Sequence, residues 1–173
     1  MAIAARAGRS GLSGAVAAVI DAWALFGGLI VLVVVVMHVA SVVGGMVWVP
    51  FPGDFEITQM GIAVAAFAFL PYCELTGANV TADIFTSGVG PRTLSLFKLL
   101  ASVVALLFSV LLLWRMYAGL LDQKEYNYVT AIMQVPVWIG FIPIVLSLVL
   151  LVAAAAITLV ENARGAAGQT RDG

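Results

Sequence analysis

Four long apolar stretches, separated by short polar segments, dominate the pattern of the chain. A bilayer-spanning helix needs about 20 consecutive apolar residues, and each stretch reaches that length. The predicted transmembrane helices cover approximately 23–45, 56–75, 96–118 and 137–160. The pattern therefore predicts an all-α membrane protein that forms one membrane domain over residues 1–173, with no soluble domain.

The first apolar stretch begins after Arg6 and Arg9, as the apolar region of a signal peptide would. It continues from Ala22 to Val49, whereas the apolar region of a signal peptide is roughly 7–15 residues long. We therefore interpret it as a retained first span, with Trp48 at its boundary.

Two of the links mix apolar and polar residues in a way that favours short helices in the membrane interface. Residues 79–90 place Asn79, Asp83 and Thr86 on one narrow face, with apolar side chains over the rest. Residues 120–135 combine aromatic and aliphatic side chains with charges, and an ordinary solvated loop is the alternative for each link. The polar tail, 162–173, is expected to be mobile.

The distribution of lysine and arginine predicts the orientation. One side of the membrane receives six of these residues: Arg6, Arg9, Arg92, Lys98, Arg164 and Arg171. The other side receives Arg115 and Lys124, together with four acidic residues. Because cytoplasmic segments carry the excess of positive charge, both termini are predicted to be cytoplasmic.

Small residues form one stripe along the second span. Gly61, Ala65 and Ala68 recur at i, i+4 and i+7, a spacing that allows a second helix to approach closely; a lipid-facing stripe is the alternative. In the fourth span, Pro143 is expected to bend the helix, because proline lacks the N–H that would pair with a carbonyl one turn earlier.

Ionisable residues are rare near the span centres. Lys98 and Arg115 lie towards opposite ends of the third span and are expected to extend to the headgroups. Glu74 lies near the end of the second span, and His38 lies about two-thirds of the way along the first. His38 is the deepest candidate, either as a proton relay or, more commonly, as a neutral side chain hydrogen-bonded to a neighbouring helix.

Composition and motifs exclude several classes of function. The chain is 63% hydrophobic and 10% charged, with one cysteine (Cys73) and one histidine, so it has neither an internal disulfide nor a haem held by two of its own histidines. No basic run suggests nucleic-acid binding, and no phosphate loop or nucleophile elbow is present. No glycine or proline breaks recur in matched halves, as they do in transporter substrate sites. No catalytic, substrate-binding or metal-binding residue is therefore predicted in this chain.

Residues 15–160 also resemble a known family. Two segments carry this resemblance together with the four-span topology. The first opens with Phe55-Glu56-Ile57 and ends in Glu74-Leu75-Thr76-Gly77-Ala78-Asn79-Val80-Thr81-Ala82-Asp83; the second is Val135-Pro136-Val137-Trp138-Ile139-Gly140-Phe141-Ile142-Pro143. They are similar to the small membrane subunit, of the DctQ type, of tripartite ATP-independent periplasmic (TRAP) transporters. Asn79 replaces the histidine usual in that family, which leaves Asp83 as a local anchor. Both residue types cap helices.

The resemblance implies a non-catalytic scaffold subunit in a bacterial inner membrane. In such transporters a larger, DctM-type subunit carries the substrate and sodium sites and moves as an elevator. A periplasmic binding protein of the DctP type delivers an organic acid, a carboxylate or sulfonate, and an ion gradient drives import. No cofactor is expected in this chain, and its partners are those two proteins and lipid. The helix-packing and interface candidates are Gly61, Ala65, Ala68, Glu56, Glu74, Asn79, Asp83, Trp138 and Pro143.

Two other classes of function are compatible with the same pattern. The chain could be an autonomous small transporter that works as an oligomer and uses His38 or Glu74. It could also be the membrane anchor of a redox or other enzyme complex.

Overall fold

The computed structural model describes residues 11–47, 52–77 and 91–169. These segments form four helices: α1 (Leu12–Val47), α2 (Asp54–Thr76), α3 (Pro91–Glu125) and α4 (Trp138–Gln169). All four are long and apolar enough to cross a membrane, and the described segments contain no strand. The prediction of an all-helical protein with four spans is confirmed.

The helices extend beyond the predicted spans. α1 begins at Leu12, α3 reaches Glu125, and α4 continues to Gln169, through most of the tail that was predicted to be mobile. The apolar part of a spanning helix needs to be only as long as the hydrocarbon core of the bilayer is thick. The backbone hydrogen bonds of the helix can continue beyond it into polar sequence. The alanines of the tail are strong helix formers, which accounts for the longer α4.

The two predicted interfacial segments have different outcomes. Residues 79–90, including Asn79 and Asp83, lie outside the described residues, as does Trp48. The segment 120–135 is not one separate helix. Its first part belongs to α3, and the chain then forms an irregular turn with a single antiparallel bridge between Val129 and Pro136. We call residues 126–137 the α3–α4 loop.

Glycines with left-handed backbone conformation delimit α2. Gly53 (φ 82°) precedes the helix and Gly77 (φ 63°) follows it. The Gly77 N–H donates to the Glu74 carbonyl at 3.2 Å, which satisfies a carbonyl group that the helix end leaves unpaired. Glycine adopts such angles without the penalty that a Cβ imposes, so both ends of α2 are fixed by local sequence.

The helices pack in the order α1–α2–α4–α3, with only a small direct contact between α1 and α4. α4 is the most enclosed, with 28% of its most apolar window buried, whereas α3 has 11%. α1 and α3 are thus the outer helices, and large apolar side chains cover their free faces. Examples are Leu25, Leu29, Leu100, Leu107 and Trp114.

Two hydrogen-bonded serines link the helices inside this row. Ser147 is fully buried; its Oγ donates to the Pro143 carbonyl at 2.7 Å and accepts from Trp23 Nε1 at 2.9 Å. Ser102 likewise donates to the Lys98 carbonyl at 2.8 Å and accepts from Asn162 Nδ2 at 2.6 Å. Pro143 does not interrupt α4, which is one continuous helix from Trp138 to Gln169. The two serines tie α4 to α1 on one side and to α3 on the other.

Ser147→Ala should destabilise the chain by about 0.6 kcal/mol, the average measured for hydrogen bonds between transmembrane helices, and by no more than about 1.7 kcal/mol, the largest value measured. The substitution removes the acceptor of the Trp23 indole N–H. Ser109→Ala is the matched control, because Ser109 is equally buried but donates only within its own helix, to Leu106. Thermal unfolding in detergent, followed by tryptophan fluorescence, measures both variants; equal shifts would contradict the assigned role of Ser147.

Candidate functional site

The small-residue stripe of α2 lies against α1 of the same chain. Ala65 and Ala68 are 1% and 0% exposed. A Cβ placed on Gly61 would lie 2.6 Å from Val34 Cγ2, and one placed on Gly27 would lie 2.8 Å from Ala68 Cβ. The two helices therefore approach too closely for larger residues, and the stripe is occupied within the chain and is not available to a partner.

Glu56 holds the α3–α4 loop to the first turn of α2. Its Oε1 accepts the Ile132 N–H at 2.6 Å, and its Oε2 accepts the Met133 N–H at 3.0 Å. Hydrogen bonds to a charged acceptor are stronger than those between neutral groups. We call this arrangement the Glu56 clamp, and the end of the molecule that contains it the Glu56 end.

The loop has internal hydrogen bonds that present these two amides. The Thr130 N–H donates to the Val135 carbonyl at 3.0 Å, and the Val135 N–H donates to Thr130 Oγ1 at 3.1 Å. The Val137 N–H donates to the Tyr128 carbonyl at 3.0 Å. Gln134, next to the clamped amides, has a positive φ of 54°. The result is a short closed turn with its tip over α2.

Gly53 makes room for that tip. A Cβ on Gly53 would overlap Met133 Cγ and would lie 2.8 Å from its Sδ. The residue before α2 must therefore lack a side chain both because of its φ and because Met133 fills the adjacent space.

Glu56→Gln should release the loop. The glutamine side chain has one acceptor oxygen, and its NH₂ group would face a backbone N–H, so one of the two bonds is replaced by a donor–donor contact. We expect hydrogen exchange over 126–137 to accelerate by roughly tenfold, as measured by mass spectrometry in detergent. Glu125→Gln, an exposed residue at the end of α3, is the control. Unchanged exchange in Glu56→Gln would show that the clamp does not hold the loop.

Two apolar grooves flank the seam between α2 and α4 beneath the loop. Their volumes are about 360 and 510 Å³, and both include Glu56, Met60, Thr130 and Gly140 in their walls. Glu56 is the only charged residue that lines them, and its two oxygens already bind the loop. Apart from Glu56, the walls are largely apolar, with Gln59 and Thr130 as the other polar side chains.

His38 lies closer to the Glu56 end than its position in the sequence suggests. Its Nδ1 is 3.2 Å from Thr58 Oγ1, one turn into α2, and Ser41 Oγ donates to Asp54 Oδ2 at 2.7 Å. His38 is exposed. Thr58 is two residues beyond Glu56 in α2, so His38 is level with the first turns of that helix. It takes part in a polar contact between α1 and α2.

The remaining predicted residues are dispersed. Glu74 lies at the opposite end of α2, and Trp138 begins α4 with the Lys124 ammonium 6.0 Å from its ring centroid, within the range of a cation–π contact. Among the described residues, no group of three or more His, Cys, Asp or Glu side chains could hold a metal ion. The structure thus joins Glu56 to the loop but does not gather the candidates into one site.

Sequence reasoning missed the contacts of Gly53 and Glu56 with Met133. The signal for Gly53 was its place between Pro52 and an acidic residue at a helix start, a position that often requires a positive φ. No local signal connects Glu56 with a loop more than 70 residues away.

The described residues define a multi-pass membrane protein. Its outer helices have apolar faces, and the Glu56 clamp fixes the α3–α4 loop at one end. Residues 33–165 match the family model described as Tripartite ATP-independent periplasmic transporters, DctQ component. The chain therefore belongs to the DctQ family and is a component of a TRAP transporter. No characterised protein and no solved structure matched the chain significantly.

Proposed function

We propose that the chain is the non-catalytic scaffold subunit of its transporter, and that it supports a larger, DctM-type subunit that moves as an elevator. In this proposal the larger subunit carries the substrate and sodium sites. A DctP-type binding protein delivers an organic acid, a carboxylate or a sulfonate. The chain itself needs no cofactor.

The composition of the interior is the observation that carries this proposal. The buried polar side chains among the described residues are four serines: Ser41, Ser102, Ser109 and Ser147. A transport site in a membrane usually contains ionisable groups that face a cavity. The described interior contains apolar packing and saturated hydrogen bonds instead, which suits a rigid support.

The exposed faces of α1 and α3 provide the surfaces for support. They lie at opposite ends of the row of helices, so one could contact the larger subunit while the other faces lipid. A row of helices, in contrast to a closed bundle, also widens the stationary part of a complex. Both features favour a scaffold over an autonomous carrier.

The lysine and arginine count favours a bacterial inner-membrane orientation with both termini in the cytoplasm. The Glu56 end, with the α3–α4 loop, would then face the periplasm. Cysteine accessibility measured in intact cells tests this orientation. A cysteine at Asn127 should react with an impermeant reagent, and one at Ala163 should not.

Reconstitution tests the scaffold function. Co-expressed with the DctM-type subunit, the chain should co-purify with it. The pair should import an organic acid into liposomes only with a sodium gradient and the binding protein. His38→Gln combined with Glu74→Gln should leave this import largely intact. Import by liposomes containing this chain alone would contradict the proposal and support an autonomous transporter.

A further inference from the structure

Arg115 stands apart from the other charged residues of α3. It is exposed, and its neighbours Leu111 and Trp114 are 52% and 68% exposed. Its side chain makes no hydrogen bond or ion pair with any group of residues 11–47, 52–77 and 91–169. The guanidinium group therefore lies on the free face of an outer helix without a described partner.

The packing of α3 fixes the depth of this residue. Leu112, Leu113 and Met116 pack against the cluster of Val64, Ile144 and Leu148. Arg115 lies between them in sequence, so its backbone is level with this cluster. On either side, Gly119 lies against Phe141 and Ser102 bonds to Asn162, as expected for antiparallel helices in this register.

α2 provides a scale for that depth. It has no charged residue between Glu56 and Glu74. At 1.5 Å per residue, Val64 lies about 12 Å from Glu56 and about 15 Å from Glu74 along the helix. The total of about 27 Å is close to the roughly 30 Å of a bilayer's hydrocarbon core. The backbone of Arg115 is thus level with the middle of the uncharged stretch of α2.

A charge at this depth needs a partner. Ionisable residues within membranes face a protein interior or a water-filled cavity and pair with another group. An extended arginine side chain is shorter than the distance to Glu56 or to Glu74, so it would not bring its charge level with either end of this uncharged stretch. Guanidinium groups bind carboxylates through two parallel hydrogen bonds, which makes a carboxylate the complementary group.

We propose that the Arg115 face of α3 is the surface that contacts a transmembrane helix of the larger subunit, and that this helix carries an aspartate or glutamate at mid-membrane. Leu111 and Trp114 supply apolar contact area beside the ion pair. The proposal rests on the scaffold function given above and assigns to it a specific face and a specific partner chemistry.

Co-purification of the two subunits tests the assigned face. Arg115→Leu should reduce the yield of complex by more than roughly tenfold, because it leaves the opposing carboxylate buried and unpaired. Lys98→Leu removes an exposed charge from the same helix near the Glu74 end and should leave the yield unchanged. The amount of Arg115→Leu in the membrane should equal that of the wild type, since the substitution removes no hydrogen bond or ion pair within the described residues.

Charge exchange tests the partner chemistry. Arg115→Glu should abolish assembly. Substitution by arginine of one of the aspartates or glutamates within the larger subunit's spans should restore it. Failure of every such exchange would overturn the assignment of a carboxylate.

A wild-type yield of complex with Arg115→Leu, accompanied in native mass spectrometry by loss of a bound anionic lipid, would also overturn the proposal, by assigning Arg115 to a lipid phosphate. Failure of the wild-type chain to co-purify with the larger subunit would overturn the scaffold function as well. An intact complex that is insensitive to Arg115→Leu would overturn this proposal alone.

Discussion

Leucine at Gly27 should disrupt the packing of α1 on α2, whereas leucine at the adjacent Gly28 should be tolerated. A Cβ at Gly27 would lie 2.8 Å from Ala68 Cβ, while a Cβ at Gly28 has no atom within 4 Å. Overpacking of a close contact costs about 1–3 kcal/mol, and a backbone-level contact leaves little room for relaxation. Both variants replace a glycine of α1 by leucine at adjacent positions. A difference in their stability therefore reports the contact with Ala68.

Gly61→Leu should resemble Gly27→Leu, because Gly61 meets Val34 from the other side of the seam. We expect both variants to lower the midpoint of thermal unfolding in detergent for the isolated chain, before any partner is added. Loss of complex formation with normal stability of the isolated chain would contradict the placement of the stripe against α1. It would instead indicate that α2 packs against another protein.

Gly53→Ala should displace the α3–α4 loop and weaken the Glu56 clamp. A non-glycine residue in the left-handed region costs about 1–2 kcal/mol, and the new methyl group would also overlap Met133. We expect a lower midpoint of thermal unfolding, and hydrogen exchange over 126–137 that is faster than in the wild type.

Two comparisons separate the causes. Gly77→Ala introduces similar strain at φ 63° but has no atom within 4 Å of the new Cβ, so it should be the milder change and should leave the loop protected. Met133→Ala removes the colliding atoms; in that background Gly53→Ala should cost about as much as Gly77→Ala. Equal effects of Gly53→Ala and Gly77→Ala in the unmodified chain would show that the loop can move away from Gly53 without loss.

The sequence predicted the helices and the family, but not which residues of neighbouring helices lie level with one another. His38 and Arg115 are the two examples. The histidine that was placed deepest takes part in a polar contact near the Glu56 end, and the arginine that was placed near a boundary is level with the middle of α2. Both predictions measured position along one apolar stretch at a time. A helix that continues past the bilayer has apolar limits that do not coincide with the membrane limits, so depth has to be read from the neighbouring helices.

The α3–α4 loop shows a different kind of limit. Its aromatic and aliphatic residues predicted a segment lying flat on the membrane, yet its conformation is determined by two hydrogen bonds to Glu56 and by the space beside Gly53. The partners are 76 and 77 residues apart in sequence. No periodicity within the loop reflects such a contact.

By itself, the sequence determined that this is a four-span membrane protein, because the length of an apolar run relative to bilayer thickness is a local property. It also contained the small-residue stripe, since i, i+4 and i+7 positions share a face in any helix. Only the tertiary structure decided that α1 occupies this stripe, that the helices lie in the order α1–α2–α4–α3, and that Arg115 is exposed and level with the middle of α2. Those facts depend on which helices touch and on how they are aligned along their axes. That alignment is set by the packing of side chains over the whole contact face of two helices that are distant in sequence.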